Sequence, residues 1–397
     1  MPFGQHIADD GGLNLREQTR CEGNFARKLY DGFGRLIQEQ APRQGWETTQ
    51  HGCSTFDNQL ETVVDYGYDG LGRVTSAYGR TYAYDAASRL TSFNGQTYGY
   101  GDSGPFHAVD PIGSADRFDY DANGNMTVRN KGIAGQQTLV WDDENRLSQV
   151  QDNDADLLKQ CWYDVDGARV KNVSGSITAY TIFAHYEEEV TNGVATAISY
   201  YMLGSILIAV KRCSDLYHLH GDHLGSTSLT TDGAGAATAS RAYYASGAER
   251  SVTGDLKTDR TFTGQKRDST GLMYYNARFY DPALGTFVSP DSMVPGAGQL
   301  INYNRFLYAR GNPFKNSDPS GHDPLGPEWE EAFRAAHKGK DPTDESKQLL
   351  LFSTPAPQCQ VALSISSYSR DNWFGYGHVL ANLQSFAAAV RANPNTG

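Results

Sequence analysis

Short stretches in which apolar and polar side chains alternate are punctuated, from Tyr30 onward, by a recurring motif of the form Tyr-Asp-x-x-Gly/Asn-Arg-hydrophobic. In Arg80-Thr81-Tyr82-Ala83-Tyr84 and Arg89-Leu90-Thr91-Ser92-Phe93 the period is two, which predicts strands with one face turned to a core. Between them lies Asp85-Ala86-Ala87-Ser88, a turn whose Asp can accept main-chain N–H bonds. Tyr30-Asp31-Gly32-Phe33-Gly34-Arg35-Leu36 and Tyr68-Asp69-Gly70-Leu71-Gly72-Arg73-Val74 repeat the arrangement, with Gly supplying the positive φ of a tight hairpin. Weaker copies follow at Tyr120-Asp121, Trp141-Asp142 and Tyr163-Asp164. Successive Asp positions lie 38, 16, 36, 21 and 22 residues apart, which predicts a unit of 16 to 22 residues with degenerate copies in the long gaps.

Each unit reads as a β-hairpin, and one hairpin is marginal in water, so neighbours must pair edge to edge. Composition points the same way: Gly is 42 of 397 residues and aromatics are 12%, with 24 Tyr, a balance that favours many short strands. The expected fold class is all-β. Asn192-Gly193 and Asp232-Gly233 are expected as further hairpin turns, and Tyr200 to Val210 as a single buried strand.

The repeats end in a stretch of different style, from Arg260 to His322, dense in aromatics, Arg, Asp-Pro and Gly. Its pieces FTGQKRDSTGLMYYNARFYDPALGTFVSPDS and NYNRFLYARGNPFKNSDPSG resemble the Rhs repeat-associated core that terminates bacterial YD-repeat (Rhs) proteins. That superfamily includes toxin-complex C components and is related to animal teneurins. The resemblance implies that the hairpins form a curved, here partial, Rhs-type β-shell, sealed by an aromatic plug. Tyr274, Tyr275, Phe279, Tyr280, Phe287, Tyr303, Phe306 and Tyr308 would supply the bulk of the plug, with Arg278 and Asp281 as a structural pair.

Toxin-branch members of this family cut their own chain just after an Asp-Pro-x-Gly-hydrophobic motif, using a pair of Asp residues in the manner of an aspartic protease. Asp291 and Asp318, the latter in Asp318-Pro319-Ser320-Gly321, occupy the matching positions, and Arg305 is the candidate for holding one of them ionised. Two neighbouring carboxyls resist ionising together, so one keeps its proton while the other activates water. Cleavage is expected to follow Gly321-His322, although His322 stands where self-cleaving relatives carry an apolar residue. The alternative reading is structural, with both Asp residues capping turns beside Pro.

Four segments result: 1–177 as repeat hairpins, 178–259 as continuing shell strands, 260–322 as the core plug, and 323–397 as a variable, mostly helical or α+β tail. The tail is expected to hold helices at 327–339 and near 377–392 and a strand at 360–365. It has six Lys/Arg against eight Asp/Glu and no spacing that reads as an enzyme. The net charge of −12 argues against a phosphate-gripping surface, so no nucleic-acid partner is expected for the shell.

Five scattered cysteines, Cys21, Cys53, Cys161, Cys213 and Cys359, form no CxxC and predict isolated small buried residues rather than zinc ligands or a disulfide framework. His218, His220, Asp222 and His223 suggest a metal site, but strand alternation followed by a turn makes Asp222 a turn acceptor instead. No cofactor, metal or membrane span is predicted, and Met1 to Gln5 read as no secretory signal.

The function implied is a secreted or surface-delivered shell that encloses or presents its own C-terminal segment as cargo in a polymorphic-toxin-type system. Such a system would add a longer N-terminal shell or a partner resembling the toxin-complex B component, and an immunity protein. A surface adhesion scaffold that releases nothing is the rival reading, and carbohydrate binding a lesser one.

Overall fold

The computed structural model of the chain describes residues 9–10, 13–19, 25–42, 60–101, 104–203, 206–294 and 300–322. The expected tail helices and strand, and the segment 323–397 as a whole, lie outside the described residues. Within them the fold is all-β: 28 strands, three short 3-10 turns and no α-helix. Sheets of five, five, fourteen and four strands follow one another along the chain, each with antiparallel neighbours in sequence order. The fourteen-stranded sheet runs from Phe118–Tyr120 to Glu249–Thr253 without closing. No described helix is long and apolar enough to cross a membrane.

One turn builds most of this. At Asp31, Asp69, Asp85, Asp121, Asp142, Asp152, Asp164, Asp222 and Asp232, carboxylate Oδ1 accepts the N–H groups two and four residues ahead, at 2.8–3.0 Å. The residue three ahead adopts positive φ in every copy, Gly in six and Ser88, Asn145 or Ala155 in the others. Two further copies, at Asp152 and Asp222, lie outside the long gaps, 31–69 and 85–121, in which degenerate units are expected. At Asp232 the left-handed residue is Gly235, at φ +87°, so the turn is a five-residue one rather than the expected Asp-Gly pair.

The Arg and Tyr of the motif join one unit to the next. Arg35, Arg73, Arg89 and Arg146 each donate Nε–H to the Oδ2 of their own turn Asp at 2.6–2.8 Å. Their guanidinium groups then stack 4.5–5.2 Å from the rings of Tyr68, Tyr84, Tyr100 and Tyr163 in the following unit. Tyr68, Tyr100 and Tyr163 send their hydroxyls back to the carbonyls of Leu36, Leu90 and Leu147, and Trp141 does the same with its indole N–H to Met126. A unit therefore completes its hydrogen bonding only on its neighbour.

Two expectations fail here. The run Tyr200 to Val210 is divided between Val194–Leu203 and Ile206–Arg212, a hairpin in which Tyr201 faces Ala209 and Leu203 faces Ile206. The run is not buried throughout, because Met202, Leu203, Ile206 and Ile208 at the hairpin end are exposed. Cys161 is free and buried, but Cys213 is disulfide-bonded, so the cysteines are not all isolated.

The segment after Thr253 retraces the sheets in roughly reverse order. Leu256 meets Thr230, Asp259 meets Tyr200, Lys266 meets Glu187, and Asp268 takes Lys159 and Arg169 at 2.9 and 2.7 Å. Asp281 then pairs with Arg129 at 2.6 Å, Asn304 reaches the Ser88 carbonyl, and Asn312 reaches that of Gly72. Tyr275 packs edge to face on Tyr280, Phe287 and Tyr308 in the middle of this strap, all four almost fully buried. Tyr280 also anchors its hydroxyl on the Ser246 carbonyl. Tyr303, expected in the plug, is exposed instead.

Candidate active site

Met273–Tyr275 and Arg278–Asp281 form a hairpin in which every strand residue is buried. Alternation along the second strand sends Arg278 and Asp281 to opposite faces. The expected Arg278–Asp281 pair is therefore absent: Asp281 goes to Arg129, and Arg278 turns towards Asp291 and Asp318.

The Asp-Pro-Ser-Gly segment is held against this hairpin along its main chain. Pro319 O accepts from Asn276 Nδ2 at 2.8 Å and Gln265 Nε2 at 3.1 Å, and Ser320 O accepts the Ala277 N–H. Gly321 has φ +78°, and a Cβ there would lie 2.1 Å from Tyr275 O, so no other residue fits. Asp318 Oδ1 closes the turn by accepting the N–H groups of Gly321 (2.8 Å) and His322 (3.0 Å).

Arg278 is the hub. One nitrogen, Nη2, lies 3.0 Å from Asp291 Oδ2 and 3.1 Å from Asp318 Oδ2. Nη1 donates to Arg305 O at 2.8 Å and Nε to Gly321 O, while the guanidinium lies 3.6 Å over the Phe287 ring. The two carboxyls, though 27 residues apart in sequence, are thus brought to one cation. Arg305, the expected partner, is adjacent but reaches Asp291 through its main-chain carbonyl, while Asp291 N–H returns to Arg305 O.

Burial decides the electrostatics. Asp291 is 3% exposed and Asp318 1%. Burial pushes the Asp318 carboxyl up, against the pull of the Arg278 guanidinium and with reinforcement from Asp291. Burial also pulls Arg278 below the usual guanidinium range despite both carboxylates. Asp291 Oδ1 accepts the Met293 N–H at 2.9 Å and lies 2.8 Å from His322 Nδ1. Beside it is a cavity of about 20 Å³ lined by Arg278, Asp291, Arg305 and His322. That is room for one water with polar partners.

Sequence reasoning placed Asp291, Asp318, Gly321 and His322 near one another but missed Arg278 as the shared cation and the Asp291–His322 contact. Strand alternation was the available signal for Arg278. At Asp222, Oδ1 is occupied by Leu224 and Ser226 N–H groups, and His218 and His220 bond to Asp232 O and Thr231 Oγ1. Those residues form a strand and its turn.

No protein-family profile matches the chain. A tRNA3(Ser)-specific nuclease WapA from Bacillus spizizenii is 27% identical over 324 residues, 79% of this chain and 12% of that protein. Toxin subunit YenC2 of Yersinia entomophaga is 35% identical over 106 residues, 25% of this chain and 10% of its own. Among solved structures, a Photorhabdus luminescens Tc holotoxin pore matches with TM-score 0.60 at 18% identity, over 79% of this chain and 18% of that one. The chain therefore spans about a tenth of the length of these curated relatives.

Proposed function

We propose that this chain, which is similar to toxin proteins in sequence and to a Tc toxin in fold and resembles the YD-repeat (Rhs) proteins in its repeats and core segment, is the C-terminal shell portion of a polymorphic-toxin-type protein. It presents its own segment 323–397 as cargo and frees it by cleavage after His322. The observation that carries this reading is the convergence of Asp291 and Asp318 on Arg278, around the main chain of Gly321 and His322.

Chemically, the pair divides the labour of an aspartic hydrolase. Asp318, raised by burial, is suited to hold a proton and pass it to the leaving nitrogen. Asp291 borders the water-sized cavity and so stands on the side from which a water would attack. Arg278 keeps both carboxyls and the Gly321 carbonyl in fixed positions, which supplies orientation. The named relatives are a nuclease and a toxin subunit, which supports a delivered effector and, for this chain, a secreted or surface location. A longer N-terminal shell or a partner like the toxin-complex B component would complete the enclosure, and an immunity protein would protect the producer.

Expression of the full chain and a denaturing gel test this directly. Wild type should release a fragment of about 75 residues, the span 323–397, and Asp291→Asn and Asp318→Asn should each reduce release on the order of 100-fold or more. An intact wild-type chain would favour the adhesion scaffold.

A further inference from the structure

The contact between Asp291 and the imidazole of His322 has no part in a reaction run by two carboxyls alone. Around the 20 Å³ cavity only Asp291 and His322, among the described residues, can take up a proton. The remaining lining groups are the guanidinium groups of Arg278, Arg305 and Arg310, the carboxamides of Asn302 and Asn304, and apolar side chains. Asp318, across Arg278, is not on the cavity.

Asp291 is already engaged on both oxygens. Oδ1 accepts from Met293 N–H at 2.9 Å and from His322 at 2.8 Å, and Oδ2 faces Arg278 Nη2 at 3.0 Å. His322 has the opposite balance. A carboxylate oxygen is an acceptor, so Nδ1 carries the hydrogen of that bond, and in a neutral imidazole the lone pair then belongs to Nε2. Nε2 has no hydrogen-bond partner among the described residues, and the side chain is 30% exposed. A carboxylate fixing the tautomer and orientation of an imidazole is the arrangement by which imidazole serves as a general base in hydrolases.

We propose that His322, oriented by Asp291, is the proton acceptor for its own cleavage, which makes it a base carried on the substrate segment itself. This rests on the self-cleavage reading above. The water oxygen bonds to the carbonyl carbon of residue 322, and the water proton goes to Nε2. The bond to the nitrogen of residue 323 then breaks; that nitrogen keeps the electron pair and takes a proton from Asp318. The imidazolium proton returns to Asp318, so one water is consumed and both groups regain their starting states. Among the described residues, the charged and titratable groups around the imidazole are Asp291, Asp318, Arg278, Arg305 and Arg310. Protonating the imidazole before water attacks removes the base, so cleavage slows in acid.

The test follows cleavage of the full chain over time between about pH 5 and 9, comparing wild type with His322→Leu, His322→Gln, His322→Ala and Asp318→Asn. Wild type should slow as the pH falls. His322→Leu and His322→Gln should lose on the order of 100-fold in rate and lose that acid limb. Free imidazole in the buffer should restore part of the cleavage in His322→Ala, a rescue that a merely structural residue would not show. His322→Leu cutting at the wild-type rate with the wild-type pH profile would overturn this role while Asp318→Asn still blocked cleavage. A wild-type chain that stayed intact at every pH would overturn the self-cleavage reading and this role together.

Discussion

Asp142 in the repeat sheets and Asp318 in the core begin from the same local chemistry. Each turns one carboxylate oxygen onto main-chain N–H groups a few residues ahead: Glu144 and Arg146 for Asp142, Gly321 and His322 for Asp318. They differ in what the second oxygen meets. Asp142 takes Arg146 from its own turn at 2.8 Å, with its side chain 27% exposed. Asp318 takes Arg278, 40 residues away in sequence, with its side chain 1% exposed. The turn in the sheets is a self-contained device, repeated because it is local and cheap in sequence. The core reuses the cap but removes the water and shares the cation, and a capping residue then acquires a perturbed carboxyl beside a main-chain segment.

The sharpest break between the two regions should come from removing one carboxylate in each. Asp268→Ala strips the core strap of the acceptor shared by Lys159 and Arg169, whose side chains are only 5% and 1% exposed. Leaving buried cations without their partner should destabilise the chain by about 3–5 kcal/mol. Asp142→Ala removes a cap and a half-exposed ion pair and should cost about 1 kcal/mol. Denaturant melts of both variants check the contrast, and equal losses would mean that the strap is no more tightly bound than a surface turn.

Glycine gives a second, smaller contrast. Gly167 and Gly321 share positive φ, at +84° and +78°, but a Cβ on Gly167 meets nothing within 4 Å while one on Gly321 strikes the Tyr275 carbonyl. Gly167→Ala should cost about 1–2 kcal/mol, the price of a left-handed residue with a side chain. Gly321→Ala adds an overlap with backbone and should cost roughly 2–4 kcal/mol, while also displacing the segment from Arg278. Ala155 already occupies the left-handed position of one repeat turn, which shows what the sheets accept. Thermal melts, with the gel assay for cleavage alongside, would measure both effects.

The same difference explains what was legible in the sequence. The turns were readable because their partners lie two to four residues apart: Asp85 caps Ala87 and Arg89, and Ser88 supplies the positive φ. The degenerate copy at Asp152 was missed because it lacks both Tyr and Arg, though its Asp and left-handed Ala155 remain. In the core, Asp291, Asp318 and Gly321 were readable only through family resemblance. Arg278 was assigned to Asp281 because it lay near in sequence, and proximity in a strand counts for less than which face each side chain takes. Lys159, Arg169 and Glu187 were not legible, since charged residues inside a strand look like solvent-facing ones until the strap that covers them is in place. That a long sheet of paired hairpins curls follows from strand twist, whereas the expected hollow shell came from the family resemblance alone.

The smallest effect, and the one that separates the regions most cleanly, is their opposite response to acid. At Asp85, partial burial is outweighed by the Arg89 N–H and guanidinium, which hold the carboxyl below its usual value. Folding therefore gains from the ionised form, a gain present above the ordinary carboxylate range and lost as pH falls through the lowered value. Asp31 behaves in the same way with Arg35. At Asp318, burial outweighs Arg278 and lifts the carboxyl, so folding favours the protonated form. That contribution is present in acid and is lost as pH rises through the raised value. Peptide-resolved hydrogen exchange, corrected for the intrinsic pH dependence of amides, should show protection in 80–93 weakening on acidification while 273–288 and 318–322 hold or gain. In Asp318→Asn the core's gain should vanish and the change in 80–93 should persist. If 80–93 and 318–322 lost protection together at the same pH, the two sets of aspartates would share one environment, and the division between half-buried cap and fully buried carboxyl would not stand.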